Sequence, residues 1–383
     1  MRPSEKFAKV LRVVRLCSAV CGCDIINEKY KINNITRAVI FCITVYFIFS
    51  AYTVNLKIAE NWSVVLEAFC MVGSVLQGIS KLTSGIIYKN YFRFASKFLR
   101  QVYSEYENKG ESYLNILDKC ISRTRAVLKS VAVLYAVVVI SLISVPIVVW
   151  IFTGKRFFPM QFFIPYLDTN TLLGYFATIG MQSVCLVFGG FGNFAGDMFL
   201  MVFFGQANML VDIFMLKGQE LSELAVDSKD EKVQHKLNEV IEWHQTYSRY
   251  IENLDVMYFW INFTQITTSA VSIVLTLAIM FIGEWPGAYA YILISFTMLY
   301  LYCGMGTLVE LANDRIIDEI YNIHWYILKV PQQKCIRYML MKAQSPKEIS
   351  VGGVAQLSVS TGLQVTKTVY SVFMMLLNFF DDK

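Results

Sequence analysis

Charge is scarce in this 383-residue chain: Asp, Glu, Lys and Arg together make up 16%, against roughly a quarter in ordinary soluble domains. So little polar surface cannot cover a water-facing body of this size. Histidine numbers only three and proline seven. His235, His244 and His324 have no second ligand at metal spacing, which removes the common zinc enzymes. No glycine loop of the kind that cradles phosphates is present, so a nucleotide-driven pump is excluded as well. Disorder, collagen-like repeats and a secreted disulfide scaffold fail on the same arithmetic. The chain has apolar bulk instead, 56% of its residues, with 15% aromatic. That composition belongs in lipid, and the chain reads as an all-α membrane protein.

Crossing about 30 Å of hydrocarbon takes roughly 20 mostly apolar residues. Seven stretches qualify: about 38–56, 62–88, 127–152, 172–205, 257–282, 288–310 and 355–380. The second carries Glu67 and Lys81, and the seventh opens on Ser358, Ser360 and Thr361. The fourth exceeds one crossing, so its inner end is expected to project. Residues 1–37 lack a sustained apolar run and hold eight Lys/Arg, so they read as an inner segment and not as a cleaved leader. With 89–126, 206–256 and 311–354 they place 27 basic residues on one side, against Lys57, Lys155, Arg156 and Lys383 on the other. Basic flanks stay in the cytosol. The expected layout is a cytoplasmic 1–37, six spans with their loops over 38–310, cytoplasmic anchor helices over 311–354, a last span at 355–380 and an extracellular tail, 381–383.

That polarity is the reverse of a G-protein-coupled receptor, and no proline follows Pro346 to supply the seventh-helix motif of that class. The nine cysteines fall in spans or on the reducing inner side. Cys17, Cys21 and Cys23 lie close enough for a metal site to be conceivable, although buried or free cytosolic thiols in an amphipathic inner helix are much the better account of them. Of the two outward or inward sequons, Asn61-Trp62-Ser63 faces out but hugs the membrane.

Polar groups inside spans are costly and want a reason. Glu67, Ser74, Gly78, Lys81 and Gly85 recur at three, four and seven, on one helical face. This stripe is either a close-packed face or the wall of a cavity in the outer half. Gly192 and Gly196 form a small-xxx-small pair, with Asp197 expected near the inner headgroups. Pro146 should kink the third span. In the last span, Met375 and Phe379 would form an apolar ring around an axis of several subunits, with Asn378 as a polar ring beside it; alone, the helix is simply lipid-buried.

Several segments then point to a family. Phe163-Ile164-Pro165-Tyr166-Leu167-Asp168 with Tyr175 and Gln182, Glu242-Trp243-His244-Gln245, Trp325, Ala343-Gln344-Ser345-Pro346 and Lys367-Thr368-Val369-Tyr370-Ser371 resemble, in order and spacing, the motifs of the insect odorant receptors. Met160-Gln161-Phe162, Phe188 to Gly192, Cys303 to Glu310 and Met374 to Asn378 resemble a fly member that detects the male pheromone cis-vaccenyl acetate. The resemblance implies a tuning subunit that joins a shared odorant co-receptor in a heterotetrameric, ligand-gated, non-selective cation channel. It implies an anchor from roughly 200–256, 311–345 and the start of the seventh span, and a pore lined by Met375, Asn378 and Phe379. The implied pocket is near Phe69, Gly73, Ile143, Pro146, Ile147, Trp150, Leu173, Phe176, Thr276 and Met280, suited to a hydrophobic fatty-acid-derived ester. Neither catalytic residues nor a metal or cofactor is implied. Membrane lipid, an odorant-binding protein and a CD36-like sensory neuron membrane protein are implied partners, nucleic acid is not, and the implied place is the plasma membrane of sensory cilia. The alternative is a gustatory-type channel without the co-receptor, whose last-helix signature Val369-Tyr370 and Asn378-Phe379 echo only loosely.

Overall fold

The computed structural model describes residues 2–57, 62–164, 167–227, 230–282 and 285–381; Asn61, Pro165 and Tyr166 lie outside them. In chain order the helices are α1 (Pro3–Val20), α2 (Asn34–Lys57), α3 (Trp62–Ile87), α4 (Lys89–Tyr106), α5 (Glu111–Thr153), α6 (Leu172–Phe204), α7 (Ala207–Asp227), α8 (Asp230–Ile282), α9 (Ala288–Asn322), α10 (Val330–Ala343) and α11 (Val359–Asp381). A small hairpin, β1 (Ser350–Val351) and β2 (Ala355–Gln356), precedes the last helix.

Length explains the shape. At 1.5 Å per residue the 43 residues of α5 reach about 65 Å and the 53 of α8 about 80 Å. Both are at least twice the hydrocarbon thickness, so their basic ends stand out of the membrane. We call that end inner, following the charge asymmetry. The basic inner segments are therefore helical, not looping. Among the described residues six stretches are apolar and long enough to cross: Asn34–Leu56, Val64–Ile87, Glu111–Thr153, Leu172–Val226, Asp230–Phe281 and Ala288–Ile327. At 23 residues α11 is long enough too, but Ser360, Thr361, Gln364, Thr366, Lys367 and Thr368 keep its first half polar.

The extramembrane half is a water-soluble-style bundle. Phe7, Val10, Leu11 and Val14 of α1 sit at helical spacing on one buried face, and the Phe7 ring stacks on Tyr103 of α4 at 4.4 Å. Between α6 and α7 the chain turns at Gly205, where a Cβ would come within 2.7 Å of the Met201 carbonyl oxygen. The next side chain, Gln206, is fully buried and answers two helices, α4 and α5. It accepts from the Tyr103 hydroxyl at 2.9 Å and from Cys120 Sγ at 3.2 Å, and donates to Thr124 Oγ1 at 3.1 Å. A buried amide with its partners in place fixes the register of α4, α5 and the α6–α7 joint. The main core lies here, around Phe92, Phe203, Tyr250, Tyr258 and Tyr302.

A second, smaller core closes the outer end around Tyr46, Met71, Leu142, Phe162, Trp285 and Tyr291. The segment after α5 folds back into it. Met160 N–H donates to Gln182 Oε1 (3.2 Å), Gln182 Nε2 donates to the Phe162 carbonyl (2.8 Å), and Phe163 N–H donates to Thr53 Oγ1 (2.9 Å). Gln182, buried in α6, thus acts as a backbone surrogate that pins an irregular loop over the bundle. Pro146 sits inside α5 without ending it. The sequence reading ran the last span back to residue 355. The structure instead gives 350–356 to the hairpin, because Gly352 and Gly353 adopt φ of +60° and +76° that turn the chain.

Candidate functional site

A cavity of about 560 Å³ runs through the bundle from the outer core toward the inner end. Its outer walls are Tyr46 of α2, Met71 and Val75 of α3, Val138 and Leu142 of α5, Leu186 of α6, Tyr291 and Ile294 of α9, and Met160 from the pinned loop. Aromatic and aliphatic groups dominate, which is the lining of a site for a small hydrophobic molecule. Polar atoms in this part are mostly used up. The Tyr291 hydroxyl donates to the Cys70 carbonyl at 2.7 Å and lies 2.8 Å from Ser74 Oγ, and Ser272 Oγ donates to the same carbonyl at 3.3 Å.

The α3 stripe resolves as cavity wall over most of its length: Ser74, Gly78, Lys81 and Gly85 all line it. It reaches the inner half as well as the outer. There Lys81 meets Asp197, Nζ to Oδ1 2.6 Å, with side chains 5% and 0% exposed. The Tyr302 hydroxyl donates to Asp197 Oδ1 at 2.6 Å and the Tyr135 hydroxyl donates to Oδ2 at 2.7 Å. Lys81 also donates to Asn193 Oδ1 at 3.2 Å, and Asn193 Nδ2 donates to the Ser74 carbonyl at 3.2 Å. Asp197, expected from the sequence near the inner headgroups, is fully buried and turned to Lys81. It is the buried centre of a network that ties α3, α5, α6 and α9 together. Gly196 is needed beside it, since a Cβ there would approach the Lys81 stem to 2.7 Å.

None of the ten pocket residues named from the resemblance lines this cavity. Phe69, Leu173 and Phe176 face outward, with exposures of 53%, 79% and 47%. Trp150 packs on Tyr175 and Phe176 at 5.9 and 5.3 Å. Gly73 is the contact point of α3 with Ser272 of α8, and Thr276 is buried there, donating to the Ser272 carbonyl at 2.6 Å. Ile143 and Met280 pack against the outer core, Pro146 is buried in α5 and Ile147 half-buried beside it. The lining residues lie close by in sequence: Met71 and Ser74 flank Gly73, and Leu142 precedes Ile143. Leu186 and Tyr291 were missed, and only burial could have revealed them. Met375 and Asn378 are exposed on one face of α11, and the Phe379 side chain is outside the described set.

The other motifs are architectural. Trp243 Nε1 donates to the Leu210 carbonyl at 2.9 Å, clamping α8 to α7, and Tyr247 donates to Asn313 Oδ1 at 2.8 Å. His244, in the extramembrane half of α8, is 4% exposed against Phe214. Burial, aided by the Lys342 charge, pushes its pKa from 6.5 down to about 4. The folded state keeps the imidazole neutral, so its contribution is intact above pH 6.5 and is lost as pH falls toward 4. We expect about 2 kcal/mol less stability at pH 5 than at pH 7, and a smaller loss in His244→Gln, read from melting temperatures at the two pH values. Cys21 and Cys23 border the inner part of the cavity, and burial raises their thiols to about 11 and about 12. They are thus held protonated at neutral pH. Among the described residues no group of three or more His, Cys, Asp or Glu converges as a metal would require.

A family model described as 7tm Odorant receptor matches residues 61–370. The chain belongs to the 7tm odorant receptor family. It is 28% identical over 392 aligned residues to the "Putative odorant receptor 83c" of Drosophila melanogaster, covering 98% of each protein. Its fold is similar to that of the insect olfactory receptor OR5 from Machilis hrabei in complex with eugenol, with a TM-score of 0.81 and 16% identity, over 98% of this chain and 99% of that one. Without eugenol the same protein gives a TM-score of 0.80. The receptor is accordingly an all-α, multi-pass membrane protein, and α11 is the seventh helix that the family description implies.

Proposed function

We propose that the receptor is the ligand-specificity subunit of a heteromeric, ligand-gated, non-selective cation channel formed with the odorant co-receptor. In this reading it sits in the plasma membrane of sensory cilia with its N-terminus inside, and a carrier such as an odorant-binding protein and a CD36-like membrane protein deliver the ligand. The cytoplasmic anchor is 200–256 with 311–354, and α11 contributes Met375, Asn378 and Phe379 to the pore. The ligand is a hydrophobic, fatty-acid-derived odorant or pheromone, an ester among the candidates. The observation that carries the reading is the largely apolar cavity of about 560 Å³ lined by α2, α3, α5, α6, α8 and α9. Each buried CH₂ of a long chain adds about 0.8 kcal/mol there, so length and shape govern selectivity. The ligand acts by binding the open arrangement more tightly than the closed one.

Filling the cavity tests this. Leu142→Trp replaces a 4%-exposed wall residue by an indole, and we expect about a hundredfold loss of ligand potency, some 3 kcal/mol. Currents would be recorded from cells expressing the chain with the co-receptor and a panel of long-chain esters, alcohols and aldehydes. Unaltered potency in Leu142→Trp would rule the cavity out as the ligand site. Currents evoked without any co-receptor would favour the gustatory-type arrangement instead.

A further inference from the structure

Part of the cavity wall is also outer surface. Ala38 and Cys42 of α2 and Val184, Phe188 and Gly189 of α6 line the cavity and are exposed at the same time, Val184 by 55% and Phe188 by 64%. The spacing of four within each helix puts each set on one face. The helix α2 is held at its two ends and not between them. Inside, the hydroxyls of Thr36 and Tyr30 both donate to the Gly22 carbonyl, the latter at 2.8 Å. Outside, Thr53 Oγ1 accepts from Phe163 N–H, and the Tyr46 ring meets Phe162 edge-on at 5.6 Å. Between these ties α2 packs chiefly on α3, with no comparable packing on α6. Ala38 and Cys42 lie four and eight residues into α2, about 6 and 12 Å from its inner end, and Val184 and Gly189 lie about 18 and 26 Å from the outer end of α6. Both edges of the gap thus sit at hydrocarbon depth, where an opening faces acyl chains and not water. The aqueous side differs, because the loop pinned by Gln182 and Thr53 covers the outer core.

We propose that the gap between α2 and α6 is the ligand's way in, so that a lipophilic odorant dissolved in the bilayer passes sideways through it, past Cys42 and Gly189, into the cavity. The inference deepens the reading of the cavity as an odorant site and rests on it. A chain of a dozen carbons resides in lipid and not in water, so the bilayer is its reservoir. Every group at the two edges is apolar or small, so a hydrocarbon chain sheds no hydration on the way in and strands no polar atom. Ligands too polar to enter the bilayer are excluded by the route before the cavity meets them.

Binding kinetics of tritiated dodecyl acetate to the full chain in lipid nanodiscs test the route. A Cβ at Gly189 meets nothing within 4 Å, so Gly189→Trp sets an indole in the gap without displacing a neighbour. A side chain that obstructs a passage but does not touch the seated ligand slows entry and exit alike. We expect association and dissociation rates both to fall at least about tenfold, with affinity unchanged to within about twofold. Cys42→Trp, on the opposite edge, should do the same. Val187→Trp, on the exposed surface of α6 but not on the cavity wall, should change neither rate, and all three variants should melt with the parent. Unaltered rates in Gly189→Trp and Cys42→Trp, or equal slowing in Val187→Trp, would overturn the route. So would weaker binding at an unchanged association rate, which would make the indole an intruder in the site itself. Tighter binding would overturn it too, since a bilayer acyl chain and not the ligand would then hold the gap. Leu142→Trp separates the route from the cavity reading: if it weakens binding while the gap variants change no rate, the cavity stands and the route falls. No saturable binding of dodecyl acetate to the parent would remove both.

Discussion

Replacing Asp197 by alanine is expected to destabilise the receptor by about 3–5 kcal/mol, enough to abolish its delivery to the cell surface. The reason is what the substitution strands. Lys81 would keep its charge at a position where the side chain is 5% exposed, and the hydroxyls of Tyr135 and Tyr302 would lose their shared acceptor. Lipid offers no partner, and only such water as the adjoining cavity admits could compensate. Asp197→Asn should fall between, since the tyrosines retain an oxygen but the ammonium loses its counter-charge. The combination of Lys81→Met with Asp197→Asn should recover much of the loss, because a buried pair removed as a unit leaves no uncompensated ion. Surface biotinylation and melting of the detergent-extracted protein would read all four proteins. An Asp197→Ala chain that melted and trafficked like the parent would refute the pair's structural role. A double variant less stable than Asp197→Asn alone would show that the charge itself is needed.

That network also marks how far residues alone could be read. Spans were legible because hydrocarbon imposes a length and a composition on each helix independently. The α3 stripe was legible for the same reason: Ser74, Gly78, Lys81 and Gly85 share a face by spacing, whatever the neighbours do. The partner of Lys81 was not legible. Asp197 lies in α6, and whether it meets lipid headgroups or Lys81 depends on how two helices are rotated and shifted against each other. Periodicity supplies a face and says nothing of depth. Pocket residues suffered likewise: Gly73 and Ile143 stand beside the lining residues Ser74 and Leu142, and a difference of one residue turns a side chain by about 100° around a helix. Gln182 and Gln206 carried a different signal, a polar amide in an apolar run. Their use, pinning a loop and a helix joint, needed coordinates.

In Gly306→Ala, ligand binding should persist while ligand-evoked current falls at least about tenfold, because the change blocks the seat of the last helix and not the cavity. A Cβ at 306 would lie 1.9 Å from the Leu357 carbonyl oxygen. The obstacle is backbone, so no rotamer relieves it, and overpacking of this kind costs about 1–3 kcal/mol. The strain falls on one junction. Leu357 N–H donates to the Ile349 carbonyl at 2.8 Å, closing the hairpin, and Val359 N–H donates to Thr307 Oγ1 at 2.9 Å, starting α11 from the α9 surface. One turn on, Gly362 lies against Cys303, where a Cβ would approach Sγ to 3.0 Å, and the hydroxyls of Tyr300 and Thr366 are 2.9 Å apart. Here α9, which walls the cavity through Tyr291 and Met298, holds α11 directly. Gly304→Ala is the internal control, since a Cβ there meets nothing within 4 Å. Normal current from Gly306→Ala would mean that α9 does not transmit ligand binding to α11 through this seat. Equal loss of current and of thermal stabilisation by ligand would locate the damage in the fold of α9 itself.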